Sequence, residues 1–296
     1  MSLEDKLESE LSSLIGGSNT SSNKLGSCMS LEDKMTFTRK QLAIPYAIYM
    51  LILVVAPLLV VAFYAFTGVD GRLTLENLLG FFTNPNTLGT LVYSLLLALV
   101  TTVICLLIAY PVAFVLAESK WKMRSVIVML FVMPMWINFT LRITALKEIL
   151  TAIEGNLAYY PFLNSVIGMT YDFLPFMILP IYTQLTKLDH SLMEAAADLG
   201  ADPRQVFLKI TLPLSVPGII SAISMVFLPA MTNYVVLDML YNSTYIMGSL
   251  IGSYFSAYDW HGGSMISLLM LLLICLFTLM TKDSDETTQV RGGTLV

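Results

Sequence analysis

Long stretches without a charged residue alternate with short polar segments along the chain. Five charge-free runs cover residues 41–69, 77–117, 125–141, 210–237 and 260–281, and the segment 155–186 carries one charge, Asp172. A helix needs roughly 20 apolar residues to cross the hydrocarbon core of a membrane. The pattern therefore predicts six spanning helices, at about 42–66, 89–117, 124–141, 164–186, 214–238 and 262–281.

Composition supports this prediction and excludes one class of partner. Hydrophobic residues make up 56% of the 296 positions and charged residues 12%, whereas soluble domains carry about 25% charged residues. The chain is therefore predicted to be an all-α integral membrane protein in contact with lipid. Its net charge of −5 provides no basic surface for nucleic acid.

Lysine and arginine predict the orientation. With a cytoplasmic N-terminus, ten basic residues between Lys34 and Lys282 fall on the inner side, and three, Arg72, Arg142 and Lys147, fall outside. This bias predicts that both termini are cytoplasmic. The outer segments are then 67–88, 142–163 and 239–261, and the inner ones are 118–123 and 187–213.

The two ends of the chain are polar and lie outside the predicted membrane domain of residues 39–281. Residues 1–38 have the composition of a disordered tail, and residues 282–296 form a polar cytoplasmic tail. The hexapeptide MSLEDK occurs at Met1–Lys6 and again at Met29–Lys34. This repeat leaves two interpretations open, an internal start site or artefact and a functional repeat.

The inner segment 187–213, here called the elbow, predicts two short helices. Ser191 and Glu194 have the spacing of a capping box at the start of the first helix. Gly200 follows the helix, where a left-handed residue is favoured. The residues on the predicted apolar face of this helix are Leu192, Ala195, Ala196 and Leu199.

The second helix of the elbow is predicted to begin at Asp202-Pro203, with aspartate as its cap and proline in its first turn. Val206, Phe207 and Ile210 form its apolar side. Pro213 is predicted to end this helix and turn the chain into the fifth span.

The charge of the elbow decides between two interpretations of this amphipathic pair. The elbow contains three basic residues and four acidic ones. The basic residues are Lys187, Arg204 and Lys209, and the acidic ones are Asp189, Glu194, Asp198 and Asp202. A helix that rests on lipid headgroups usually has an excess of lysine and arginine. The balance here favours the alternative, a helix that docks in a groove of a soluble partner.

Residue patterns for catalysis are missing from the sequence. It contains no phosphate-binding loop of the form G-x-x-x-x-G-K-[ST], and its two histidines, His190 and His261, are far apart. Cys28, Cys105 and Cys275 suggest no disulfide framework. We therefore predict a non-catalytic subunit that binds no metal and no cofactor of its own.

Asp172 is the candidate for contact with a cationic solute, because a charge inside a span is costly and often functional. Aromatic and amide side chains in the neighbouring spans could add cation–π contacts and hydrogen bonds. Two alternatives stay open for Asp172: it is wetted near the outer surface, or it pairs with Arg142. The candidates for the substrate path are Trp136, Asn138, Tyr171, Asp172, Asn233 and Tyr234.

The elbow resembles that of ABC importer permeases. Glu194-Ala195-Ala196, Gly200, Ile210 and Leu212-Pro213 match the motif of that family in residue type and spacing. The resemblance implies the type I importer permease fold, called MetI-like, with six transmembrane helices in a bacterial inner membrane. It also implies that the elbow is the coupling helix, which sits in a cleft of a cytoplasmic ATPase, and that Glu194 and Gly200 are most closely tied to this contact.

Further motifs resemble the polyamine branch of the same family, in particular the first permease subunit of spermidine/putrescine importers. They lie at residues 109–114, 133–138, 142–143, 174–177, 187–189 and 228–231. This resemblance implies a second permease subunit, two ATPase subunits that hold ATP and magnesium, and an extracytoplasmic polyamine-binding protein. Two alternatives remain: an importer permease for another solute, such as ferric iron, sulfate or a sugar, and a self-sufficient secondary transporter.

Overall fold

The computed structural model describes the backbone of residues 39–68, 70–119, 122–240 and 245–293. The tail 1–38 and both copies of MSLEDK lie outside the described residues. Helices make up nearly all of the described part. They are α1 (Arg39–Phe66), α2 (Glu76–Thr83), α3 (Pro85–Glu118), α4 (Arg124–Val132), α5 (Phe139–Glu154), α6 (Pro161–Leu185), α7 (His190–Asp198), α8 (Pro203–Val206), α9 (Leu212–Thr232), α10 (Tyr234–Leu240), α11 (Met247–Ser256) and α12 (Trp260–Gly293).

Five unbroken helical segments are long and apolar enough to cross a membrane. They are Pro45–Phe66, Pro85–Glu118, Pro161–Leu185, Pro203–Thr232 and Trp260–Thr281. A sixth crossing requires the bent pair Arg124–Trp136 and Phe139–Glu154, whose two parts meet at 96°. Five of the six predicted spans are therefore single helices, and the third is broken.

The prediction of one continuous helix over residues 124–141 was wrong. Helix α4 ends at Val132, the tighter 3₁₀ turn Met133–Trp136 follows, and the backbone is extended at Ile137. Pro134 lies within this turn, and proline interrupts a helix because it lacks an N–H and crowds the preceding turn. The side chain of Asn138 then accepts a hydrogen bond from the Thr140 N–H at 2.9 Å and starts α5.

Helices also occupy the predicted outer segments. The segment 142–163 holds most of α5, and α2 and α11 lie within 67–88 and 239–261. The fifth span ends at Thr232 rather than at 238, and a break at Asn233 separates it from α10. At the C-terminus, α12 continues past the predicted end of the span at 281 to Gly293.

The chain divides into two compact units after Val60, within α1. In the second unit, α3, α6 and α9 pack against one another. The buried residues of α3 include several small side chains, Ala98, Cys105, Ala109 and Ala113, which let membrane helices approach closely. Gly218 of α9 serves the same purpose, since a Cβ atom there would lie 2.4 Å from the Cβ of Gln184 on α6.

Candidate functional site

The first arm of the elbow is the helix α7, and its cap differs from the prediction. The side chain of Asp189 accepts a hydrogen bond from the backbone N–H of Ser191 at 2.9 Å, and the helix begins at His190. The third helical position therefore belongs to Leu192, so Glu194 cannot close a capping box with Ser191. Asp189 precedes Ser191 and combines a good capping side chain with a negative charge at the helix N-terminus.

This hydrogen bond also affects the acidity of the cap. The Ser191 N–H stabilises the ionised form and so lowers the pKa of the Asp189 carboxyl below its usual value. Asp189 is exposed. Because its pKa is lowered, the carboxyl stays ionised near neutral pH, and the cap depends on pH only in acidic solution.

Gly200 ends the first arm as predicted. Its φ angle is +83°, which lies in the left-handed region that favours glycine. Its N–H donates to the Ala197 carbonyl at 2.9 Å, and the Ala201 N–H donates to the Ala196 carbonyl at 3.0 Å. These bonds satisfy the last carbonyls of the helix and set the angle between the two arms.

The second arm begins at Pro203 with Asp202 at its N-cap position, as the sequence predicts, but the side chain of Asp202 makes no capping hydrogen bond. The carbonyl of Asp202 accepts from the N–H groups of Gln205 at 2.8 Å and Val206 at 3.0 Å. After one α-helical turn the chain forms a wider π-helical segment, Phe207–Thr211, in which the Leu212 N–H donates to the Phe207 carbonyl.

The prediction that Pro213 ends this helix was wrong. Helical backbone runs from Pro203 through the π segment and along α9 to Thr232. Proline lacks an N–H and crowds the carbonyl four residues earlier, here that of Lys209. The wider π turn ends at Thr211, and a new α-helical segment begins at Leu212. Pro213 therefore lies in the first turn of that segment, where proline is tolerated. The second arm is therefore one rod with the fifth span, and Ile210, Leu212 and Pro213 lie at the junction.

The apolar face of the first arm is an open surface in this chain. Leu199 is 89% exposed and Leu192 is 50% exposed; Ala195 and Glu194 are exposed as well, and Ala196 is half-buried. Met193 points to the second arm, because its sulfur accepts from the Thr211 hydroxyl at 3.7 Å. The face that the sequence predicted to dock on a partner is thus not buried by other parts of this chain.

A cavity of about 570 Å³ lies between the first arm and the end of α3. Glu118, Arg124, His190 and Glu194 contribute its charged and titratable lining. The guanidinium of Arg124 donates to the Ala117 carbonyl at 3.3 Å, at the C-terminus of α3. Among the described residues, no group of three or more histidine, cysteine, aspartate or glutamate side chains could hold a metal ion.

Asp172 has a partner within the chain. It is 4% exposed, and its carboxylate accepts a hydrogen bond from the guanidinium of Arg142. The same guanidinium donates to the Pro134 carbonyl at 3.3 Å and lies 5.9 Å from the ring centre of Tyr171. Of the alternatives that the sequence left open, the pairing with Arg142 is the one observed, and it joins the broken third span to α6.

Four further candidates for the substrate path, Trp136, Asn138, Asn233 and Tyr234, lie at two helix breaks, while Tyr171 lies within α6. Trp136, which is 74% exposed, and Asn138 flank the break between α4 and α5. Asn233 and Tyr234 form the break between α9 and α10. A Cβ at Gly248 of α11 would lie 2.1 Å from the Thr232 carbonyl, so α11 packs directly on this second break.

Comparison with known proteins identifies the family. The family described as "Binding-protein-dependent transport system inner membrane component" matches residues 53–282. The chain belongs to this family. The permease is accordingly a multi-pass inner-membrane protein of a transport system.

Named relatives cover most of the permease. It is 36% identical over 251 residues to "Spermidine/putrescine transport system permease protein PotB" of Haemophilus influenzae, covering 77% of this chain and 87% of that one. The protein of the same name from Escherichia coli is 33% identical over 213 residues, with 67% and 78% covered. "Inner membrane ABC transporter permease protein YdcU" of Escherichia coli is 28% identical, with 74% and 80% covered.

Solved structures confirm the fold of the permease. A chain of a bacterial ABC transporter that imports alginate has a TM-score of 0.69 at 14% identity, with 88% of this chain and 98% of that chain covered. A chain of the MetNI methionine ABC transporter in an inward-facing conformation has a TM-score of 0.54 at 17% identity, covering 68% and 95%. The predicted type I importer permease fold is confirmed.

Sequence reasoning overlooked two features of the site. The first is the capping role of Asp189. The sequence contained a signal for it, since aspartate is as good an N-cap residue as serine and Asp189 lies two positions before Ser191. The second feature is that the rings of Tyr110 and Phe114 on α3 contact the ring of Phe207 in the elbow. No local signal predicts these contacts, because Tyr110 and Phe114 lie almost a hundred positions earlier in the sequence.

Proposed function

We propose that this permease is a membrane subunit of an ATP-driven importer for polyamines, spermidine and putrescine. It pairs with a second permease subunit to form the translocation path. Two cytoplasmic ATPase subunits bind ATP and magnesium, and an extracytoplasmic polyamine-binding protein delivers the cargo. Both termini and the elbow lie in the cytoplasm, in accordance with the distribution of lysine and arginine.

One observation carries the coupling role, namely that the exposed apolar face of the first arm is joined through the turn at Gly200 to a helical rod, the second arm and the fifth span, that enters the membrane. The exposed side chains of Leu192 and Leu199 form a short amphipathic surface of the kind that docks in a protein groove. Because the second arm continues into α9, a displacement of this surface by the ATPase moves the fifth span. Differential affinity of the ATPase states for the two elbow positions then shifts access between the two sides of the membrane.

The cargo follows from the named relatives together with the chemistry of the outer half. Relatives at 36% and 33% identity are named as spermidine/putrescine permeases. Helix breaks at membrane depth are tolerated where the backbone is buried in protein or lines a water-filled cavity. We place the path along the two breaks, with Trp136, Asn138, Tyr171, Asn233 and Tyr234 as its lining and Asp172 behind it, held by Arg142.

The proposal is tested with the assembled transporter in lipid vesicles. ATP hydrolysis is measured with the binding protein in the presence of spermidine, of putrescine or of an unrelated solute such as maltose. We expect stimulation with the two polyamines alone. Equal stimulation by maltose, or uptake by the purified permease without ATPase subunits, would contradict the proposal.

Substitutions in the elbow test the coupling role separately. Glu194→Lys reverses an exposed charge on the first arm and should abolish uptake while the spans stay inserted in the membrane. Glu148→Lys makes the same change on an exposed position of α5, outside the elbow, and should leave uptake intact. Normal uptake with Glu194→Lys would remove the elbow from the mechanism.

A further inference from the structure

One turn of α3 contacts the elbow through two aromatic side chains. Tyr110 and Phe114 are four residues apart and therefore lie on the same face of the helix. Their ring centres are 6.0 Å and 5.2 Å from that of Phe207, with interplanar angles of 75° and 78°. Both contacts have the edge-to-face geometry that aromatic pairs prefer.

Tyr110 also reaches past Phe207 to the start of α9. Its hydroxyl lies 3.1 Å from the hydroxyl of Ser215, which is fully buried. The single proton of Ser215 is directed to the Leu212 carbonyl at 2.8 Å, so Tyr110 is the donor in the bond between the two hydroxyls.

These contacts lie on both sides of the π segment Phe207–Thr211. Phe207 is its first residue, and Ser215 lies four residues after its last one. A π segment interrupts the regular hydrogen bonding of an α-helix and is a common place for a helix to bend. A bend here would absorb a displacement of the first arm before it reached the fifth span.

Space for such a bend exists beside the segment. A cavity of about 270 Å³ lies between α3 and the elbow, and Phe114, Met193, Phe207 and Thr211 contribute to its lining. The second arm could move into this cavity if the two aromatic contacts and the hydrogen bond did not hold it.

We propose that Tyr110, Phe114, Phe207 and Ser215 form a brace that makes the elbow, α3 and α9 move as one body. The four are positioning residues, since they act through the elbow and touch neither nucleotide nor cargo. The brace gives a role to the segment 109–114, which the sequence marked only by its resemblance to polyamine permeases. The inference rests on the proposed coupling role of the elbow.

The first test measures how much spermidine the reconstituted transporter moves for each ATP hydrolysed. Phe207→Leu removes both ring contacts and should lower the amount of spermidine transported per ATP hydrolysed by at least about fivefold, which is the effect of losing one of the two aromatic pairs. Co-purification with the ATPase subunits should stay unchanged. Phe277→Leu breaks the stacked pair Phe227–Phe277, whose ring centres are 4.7 Å apart within the spans, and should leave the transport ratio unchanged.

A purely structural role predicts a different result. In that case transport, hydrolysis and assembly all decrease together in Phe207→Leu. The ratio of spermidine transported to ATP hydrolysed then stays at the wild-type value, and this outcome overturns the brace. If Phe207→Leu fails to assemble, Tyr110→Phe decides. It keeps the ring and loses only the bond to Ser215, and an unchanged ratio there also overturns the proposal.

A second test restores the brace by covalent chemistry. Phe114→Cys and Phe207→Cys are combined in a chain whose own cysteines, Cys28, Cys105 and Cys275, are replaced by alanine. With free thiols this variant should be uncoupled, and a short bridging reagent should restore transport per ATP. Arrest by the bridge would show that the contact must open during the cycle and would overturn the brace.

The two proposals fail in distinguishable ways. If the wild-type assembly shows no polyamine-stimulated hydrolysis, the proposed function is wrong. If the wild-type assembly is stimulated and the Phe207 variant transports with the wild-type ratio, the brace alone is wrong.

Discussion

The elbow and the broken third span are two irregular regions of the bundle, and they are held in place in different ways. The turns of the elbow arise from neighbouring residues, since Asp189 caps the first arm and Gly200 ends it. The break of the third span is fastened by Arg142 and Asp172, which belong to different helices. The turns of the elbow therefore depend on local backbone chemistry. The break also begins with local features, Pro134 and the cap at Asn138, but an ion pair between distant parts of the chain fastens it to α6.

Removal of one charge at the break should have the largest effect on stability. Arg142→Ala leaves the Asp172 carboxylate buried and unpaired, and this should lower the free energy of unfolding by about 3–5 kcal/mol. Denaturant unfolding of the permease in detergent micelles measures the change. The double variant Arg142→Met with Asp172→Leu removes both charges and should recover most of the stability.

The same double variant sharpens the interpretation of Asp172. If the ion pair only fastens the break, polyamine uptake should recover together with stability. Recovery of stability without uptake would instead show that the carboxylate takes part in the substrate path. A single variant as stable as the wild type would contradict the role of the pair.

A smaller effect is expected at the turn of the elbow. Gly200→Ala places a Cβ where the surroundings are open, so only the left-handed backbone opposes it, at roughly 1–2 kcal/mol. ATPase binding to the permease should weaken about tenfold, with the unfolding of the spans unchanged. Gly89→Ala in α3, also in open surroundings but without a positive φ, should alter neither property.

The cap of the first arm should give the smallest effect, and one that depends on pH. Because the folded pKa of Asp189 lies below its ordinary value of 3.8, its contribution is present above about pH 4 and is lost as the pH falls below that value. Protease cleavage in the elbow should therefore become faster in acid. Asp189→Asn keeps an accepting oxygen without a titrating proton and should flatten this dependence; equal acid sensitivity in both proteins would contradict it.

The predictions from sequence succeeded where a feature depends on composition or on adjacent residues. Charge-free runs placed the unbroken spans, and Gly200 and Pro203 marked the turn of the elbow correctly. They failed where two signals competed locally, as with Asp189 against Ser191, and where a helix continued past a proline, as at Pro213. In the second case the sequence contains the proline but not the wider turn that accommodates it.

The sequence by itself determined that the chain spans a membrane and presents a polar, motif-bearing elbow on one side, because hydropathy and backbone preferences act over a few neighbouring residues. Only the tertiary structure decided what holds the irregular parts in place. Arg142 meets Asp172, and Tyr110 and Phe114 meet Phe207, because helix packing brings residues from distant positions to contact distance. A local pattern in the sequence does not predict these pairings, since they depend on how the packed helices are oriented relative to one another.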